Sequence, residues 1–203
     1  MNIKQQWGVV LLLLVFSIPY TTYSATLGDF VVSSDTTLPA GEYVYDSLVV
    51  QSGATLLLEG DPTTSSVFKG VKIQATNITI EAGAFITADK QGYPSQQGPG
   101  SSLNYRHGGS YGGVGSGNVG TSTYGSSIYP THLGSGGGYS SGGGAVDLAV
   151  LGTLHIDGTL SANGDGTGSG GSINITTDTL SGSGSISAQG GSYRTTAVAI
   201  NAG

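Results

Sequence analysis

Three short segments of this chain share one step: Phe85-Ile86-Thr87-Ala88, Thr159-Leu160-Ser161-Ala162 and Ser185-Ile186-Ser187-Ala188. The central aliphatics of the last two lie 26 residues apart, and Val146 lies 27 residues before Ile173. Ile86 and Leu160 are 74 apart, one such interval plus an insertion. Six residues before each central aliphatic stands another, Ile80, Leu154 and Leu180, and upstream again come Ile73, Leu148 and Ile173. A period in the twenties, with short apolar runs and turns in every copy, is the signature of a stacked repeat. No single copy can bury its apolar face alone, so neighbours must cover it.

The runs themselves are strands. Val71-Lys-Ile73, Ile78-Thr-Ile80, Leu154-His-Ile156 and Ile173-Asn-Ile175 alternate apolar and polar residues, the period of a half-buried strand. Gly, Asn, Asp and Ser between them supply turn conformations. No stretch carries a 3.6-residue apolar period, and helix formers are sparse. The expected fold is all-β, a parallel β-helix in which each coil gives two or three short strands. A β-sandwich or barrel is the alternative; a leucine-rich repeat would need an Asn ladder that is missing.

The chain divides by composition. Residues 1–24 read as a signal peptide: Lys4, an apolar run at 8–16 (GVVLLLLVF), Pro19, and small residues Thr22 and Ser24 before Ala25. The run is too short to span a bilayer, so no membrane span is expected. Residues 25–91 read as N-terminal β-helix coils and 145–203 as further coils, incomplete at the C-terminus. Between them, residues 92–144 hold 18 of the 37 glycines and only five Val, Ile, Leu or Phe, a Gly/Ser/Tyr-rich insert whose order the composition leaves open. A coil end exposes strand edges and core, and 195–203 contains no obvious cap, so the expected context is a larger chain or assembly.

Several chemistries are excluded. The chain has no cysteine, which removes disulfides, thiolate metal sites and cysteine nucleophiles. A net charge of −6 argues against nucleic acid, since little neutralises phosphate. Lys69, Lys72, Lys90, Arg106 and Arg194 are too few and scattered to form a basic stripe.

Leu48-Val-Val-Gln-Ser-Gly-Ala-Thr-Leu56 resembles the first coil of many exported right-handed β-helices. His107-Gly-Gly-Ser-Tyr-Gly-Gly113, the stretch from Tyr124 to Gly138, Gly142-Gly-Gly-Ala145 and Gly170-Gly-Ser-Ile-Asn-Ile-Thr176 resemble glycine-rich β-helical segments of large secreted or cell-surface, adhesin-like proteins. The resemblance covers nearly all of the chain after residue 24. It implies a right-handed solenoid and an extracellular setting, and it is poorly specific for activity.

Polysaccharide lyases and glycoside hydrolases also use β-helices, and they need convergent carboxylates or a base beside acidic metal ligands. The acids here are dispersed; Asp157 and Asp178 fall on neighbouring coils but on opposite sides of equivalent aliphatics. His107, His132 and His155 share no metal-ligand spacing, and His155 is expected to point outward between Leu154 and Ile156. Residues 163–171 (NGDGTGSGG) hold one acid, Asp165, which favours a plain turn over a calcium loop. No catalytic residue, cofactor or metal site is therefore assigned. Thr79, Thr87, Thr153, Thr159 and Thr176 do not align as an ice-binding ladder.

Six tyrosines lie in the insert. Tyr105, Tyr111, Tyr124 and Tyr129 are candidates for partner contact, because tyrosine offers large area at low entropic cost; packing against the solenoid is the other reading. Asn77-Ile-Thr79 and Asn174-Ile-Thr176 match the glycosylation sequon, with both asparagines expected to face solvent. The expected protein is a secreted or surface-exposed, non-enzymatic structural or adhesive module that meets extracellular glycans or surface proteins. A β-helix polysaccharide lyase or hydrolase is the alternative.

Overall fold

A computed structural model describes residues 28–117 and 123–192. The expected signal peptide and residues 195–203 lie outside the described residues. The described chain is all-β, with ten strands: β1 Asp29–Val32, β2 Thr36–Leu38, β3 Gly41–Val50, β4 Thr55–Leu58, β5 Val71–Ile80, β6 Phe85–Thr87, β7 Ala145–Ile156, β8 Thr159–Ser161, β9 Ser172–Ser181 and β10 Ser185–Ser187. Odd strands form one sheet in the order β1-β3-β5-β7-β9, and even strands form a second in the order β2-β4-β6-β8-β10. Every pairing is parallel. Each pass of chain thus adds one long strand to the first sheet and one short strand to the second, and neither sheet closes on itself.

Parallel register stacks like residues on like. Phe30, Leu48, Ile78, Leu154 and Leu180 form one ladder through the first sheet, and Leu56, Ile86, Leu160 and Ile186 form one through the second. Leu48, Ile78, Leu154, Leu56, Ile86 and Leu160 are all fully buried in one core. Each such side chain contributes about 1.5–3 kcal/mol by leaving water. Alternate residues such as Lys72, Gln74 and Thr79 face out.

The 26- and 74-residue steps are the actual registers, Leu160 on Ile186 and Ile86 on Leu160, and Val146 does lie on Ile173. Two of the expected equivalences shift. Leu154 pairs with Ile78 rather than Ile80, because the turn after β5 holds more residues than the turn after β7. Leu148 pairs with Ile175 rather than Ile173.

The register also slips within β7, which holds one more residue than either neighbour between Val150 and Leu154. This bulge turns Leu151 out to 81% exposure. At Gly152 a Cβ would come 2.8 Å from the Asn77 Oδ1, so glycine makes room for that side chain. The Asn77 amide oxygen accepts the Thr153 N–H at 2.9 Å, and the Thr177 hydroxyl donates to the Gly152 carbonyl at 3.0 Å. Both neighbouring strands therefore hold the bulge, as expected of a built feature rather than a defect.

Candidate functional site

The Gly/Ser/Tyr-rich segment between β6 and β7 has no strand among its described residues, yet it is packed backbone to backbone. Gly92 N–H donates to the Gly142 carbonyl, Gly142 N–H to the Tyr93 carbonyl, Gly134 N–H to the Gly143 carbonyl and Gly143 N–H to the Ser169 carbonyl, all at 2.8–3.0 Å. Glycine is required by closeness here. A Cβ on Gly137 would overlap the Thr167 carbonyl, one on Gly168 the Ser141 carbonyl, and one on Gly171 the Gly144 carbonyl. The segment is a third wall of the molecule, built from peptide groups instead of aliphatic side chains.

Two of the four candidate tyrosines belong to that wall. Tyr111 and Tyr124 meet edge to face with ring centroids 4.8 Å apart, a favourable aromatic geometry. Tyr124 has one hydroxyl hydrogen and donates it to the Leu133 carbonyl at 2.6 Å; the Ser135 hydroxyl, 2.8 Å away, then donates to the Tyr124 oxygen. Burial raises the Tyr124 ionisation far above the ordinary tyrosine value, with the Ser135 hydrogen bond opposing it. Burial also pushes the Tyr111 ionisation up, with the nearby Ser172 side chain and His132 backbone opposing it. The packing reading therefore holds for this pair. Tyr105, 62% exposed, leans on Tyr139 with centroids 5.0 Å apart, and Tyr129 is 70% exposed; these two remain available to a partner.

Beside the tyrosines lies a cleft of about 790 Å³, between residues 106–116 and the last pass of chain. Arg106 and Tyr111 border it, but glycines make up most of its walls, among them Gly112, Gly113, Gly168, Gly170, Gly190 and Gly191. Composition made the glycines visible; their convergence on a cleft is set by long-range packing.

The acids that the sequence left dispersed act between passes. Asp35 accepts the Thr55 N–H at 3.0 Å, Glu81 the Ser52 N–H at 2.9 Å and Asp157 the Ser183 N–H at 2.9 Å. At the opposite corner Asp89 accepts the Asn163 N–H at 2.6 Å, and Asn163 in turn accepts the Gln189 N–H at 2.8 Å. Each carboxylate or amide satisfies an N–H in a turn or at a strand start of the adjacent pass. Asp157 and Asp178 are not brought together: Asp178 sits one place before the Thr153–Thr179 pair and Asp157 four places after it, a separation of about 16 Å along the strand. Asp165 faces Lys90 at 3.5 Å, an exposed pair of little energetic weight.

His155 does point outward, as expected. Its Nε2 lies 2.9 Å from an Asp157 oxygen and its Nδ1 2.9 Å from the Ser181 hydroxyl. The Ser183 backbone N–H, then His155, then the Ser183 hydroxyl hold the Asp157 carboxyl below its usual range. The sequence reading missed this Ser–His–Asp cluster because Ser181 comes from the next strand; only the register places it beside His155. Among the described residues no three His, Asp or Glu side chains are grouped to hold a metal.

Both sequon asparagines lie on the outer face, Asn77 exposed and Asn174 partly so. Asn174 spends an amide hydrogen on Asp147 at 2.8 Å, while Asn77 uses its oxygen at the bulge. Among the described residues no helix is long and apolar enough to cross a membrane. No protein-family model, curated protein or solved structure matches this chain.

Proposed function

We propose that this chain is a right-handed parallel β-helix module, exported to the cell surface or beyond, whose role is structural and adhesive. One observation carries the reading: successive passes alternate between two parallel sheets around a single aliphatic core. Such stacking makes a stiff rod with a repeating outer face, well suited to display and poorly suited to enclosing a reaction. The outer face is mainly Thr, Ser, Asn and Gln, cross-linked from pass to pass. Tyr105, stacked on Tyr139, and the exposed Tyr129 are the contact residues, offering ring faces to a glycan or a surface protein.

Screening the chain on a glycan array and on extracellular surfaces tests this. Binding that Tyr105→Ala and Tyr129→Ala weaken tenfold or more supports the reading; binding indifferent to both removes the tyrosines from the role.

Hydrolysis at the outer face is the second reading, favoured by the Ser181–His155–Asp157 cluster. The cluster is open to solvent, and one Asp157 oxygen already holds Ser183. Sugar or acyl release by the wild type, abolished in both Ser181→Ala and Asp157→Asn, would replace the adhesive reading with an enzymatic one.

A further inference from the structure

We propose that Tyr105 and Tyr139 form an oxidative cross-linking site, at which a one-electron oxidant of the peroxidase class joins the two rings and closes the glycine-rich wall covalently. The cross-link needs no glycan and goes beyond both the adhesive and the hydrolytic reading.

The sequence leaves tyrosine as the residue that such an oxidant meets. Cysteine, methionine and tryptophan are the side chains oxidised most readily. The chain has no cysteine, and its one methionine and one tryptophan are Met1 and Trp7. From residue 25 onward electrons are therefore drawn from tyrosine. A phenoxyl radical couples only where a second ring lies beside it, so the spacing of the rings decides where a bond forms.

Three close tyrosine pairs occur among the described residues. Tyr43 and Tyr45 lie along one strand with centroids 6.3 Å apart, and Tyr45 is buried. Tyr111 and Tyr124 meet edge to face at 70°, and the Tyr124 hydroxyl hydrogen is held by the Leu133 carbonyl. Tyr105 and Tyr139 have centroids 5.0 Å apart and only 34° between their planes, and Tyr105 is 62% exposed. Of the three, this pair alone combines close rings, facing planes and a side chain open to an oxidant. The backbone holds it in place. A Cβ on Gly138 would overlap the Asn104 carbonyl, so glycine lets the two segments touch just where the tyrosines follow. The Gly138 N–H donates to the His107 carbonyl at 3.0 Å, and the Tyr139 N–H to the Thr167 hydroxyl at 3.3 Å. Two rings fixed side by side make the coupling a local step.

The chemistry balances with hydrogen peroxide as the terminal oxidant. Each phenol gives up one electron and one proton. The two radicals form a carbon–carbon bond between the ring positions beside the oxygens, and the hydrogens at those carbons pass to the oxygens as protons, restoring two phenols. Peroxide takes up the two electrons and two protons and leaves as two waters. Residues 105 and 139 lie 34 apart, so the bond encloses much of a wall that buries little apolar area. It removes loop-closure freedom from the unfolded chain, as any covalent tie does.

The test treats the full chain, at high dilution, with a haem peroxidase and hydrogen peroxide. Trypsin cuts after Lys90, Arg106 and Arg194, so Tyr105 and Tyr139 fall in separate peptides, 91–106 and 107–194, whereas Tyr111 and Tyr124 share one. Blue dityrosine fluorescence is expected, with a product that joins the two peptides through Tyr105 and Tyr139 and is two hydrogens lighter than their sum. Tyr105→Phe and Tyr139→Phe keep the ring packing and should lose the product at least tenfold, while Tyr129→Phe keeps it. Should either variant misfold, fragmentation of the wild-type product locates the bond by itself. The cross-linked chain should unfold at higher urea than the untreated chain, and treated Tyr105→Phe should show no such rise. Absence of dityrosine while free tyrosine is oxidised in the same mixture overturns the proposal. So does a bond through Tyr93, Tyr111 or Tyr124 instead, a product found only between copies, or an unchanged urea midpoint. Failure of the glycan screen leaves each of these results untouched.

Discussion

The strand walls and the glycine wall solve the same packing problem with opposite chemistry. In β5 and β7 the passes are joined by ladder hydrogen bonds outside and by buried Ile73, Ile78, Leu148 and Leu154 inside. Around Gly134, Gly142 and Gly143 the passes are joined mainly by peptide hydrogen bonds, at contacts too close for a side chain on these glycines. The first wall gains stability by removing apolar area from water. The second buries little such area and must order the residue with the most backbone freedom. It holds because its buried N–H and C=O groups would be costly to leave unpaired. Glycine content is therefore no measure of disorder; what matters is whether the peptide groups find one another.

The sharpest way to break this comparison is to add one methyl group to the glycine wall. Gly171→Ala forces a Cβ into the Gly144 carbonyl, between backbones that cannot repack. We expect a loss of about 3 kcal/mol or more in urea unfolding. Gly112→Ala meets open space and should be neutral or mildly stabilising, by about 0.4–1 kcal/mol, by restricting the unfolded chain. Equal effects would mean that the wall is not close-packed.

The strand walls give the complementary test. Leu154→Ala removes a fully buried ladder member and should cost about 2–5 kcal/mol. Leu180→Ala, one pass on and half exposed, should cost about 1 kcal/mol or less. A reversed order would contradict the ladder's direction of burial.

Tyr124→Phe probes the junction between the walls. It strips a hydroxyl from the Leu133 carbonyl and Ser135 and should cost about 1–3 kcal/mol at neutral pH. Burial raises the folded-state ionisation of Tyr124, so its stabilisation is complete below the unfolded value of about 10. It is lost as pH rises from there through the folded value. The phenylalanine variant should lack that alkaline decline.

A small, pH-dependent effect is expected at Asp157. Its depressed ionisation places its contribution above the ordinary carboxylate range, and the contribution fades as pH falls through the lowered folded value. Tm measured from pH 7 down to pH 2 should start lower in Asp157→Asn than in the wild type and converge with it in acid.

The strand walls were legible because Ile and Leu write their contacts into the sequence: Ile86, Leu160 and Ile186 are spaced by the length of a pass, and the register follows. The local errors have local causes. Ile80 took the place of Ile78 because one turn is longer, and the extra residue in β7 explains why one interval is 27 and another 26. The glycine wall wrote no such record. A contact between two peptide groups is the same for every glycine, so no spacing says that Gly143 meets Ser169 rather than another partner. Likewise Tyr111 and Tyr124 differ from Tyr105 and Tyr129 only in where the folded wall places them. The Ser181–His155–Asp157 cluster was illegible because it spans two passes in a register that the bulge alters.

Amide hydrogen exchange resolved by residue tests the glycine wall most directly. The amides of Gly134, Gly142 and Gly143 should exchange as slowly as the ladder amides of β5 and β7, while Gly112 exchanges near the unprotected rate. Fast exchange at Gly134, Gly142 and Gly143, with β5 and β7 still protected, would show that the glycine-rich segment is a loose loop on a strand-built core, and would contradict the packed third wall.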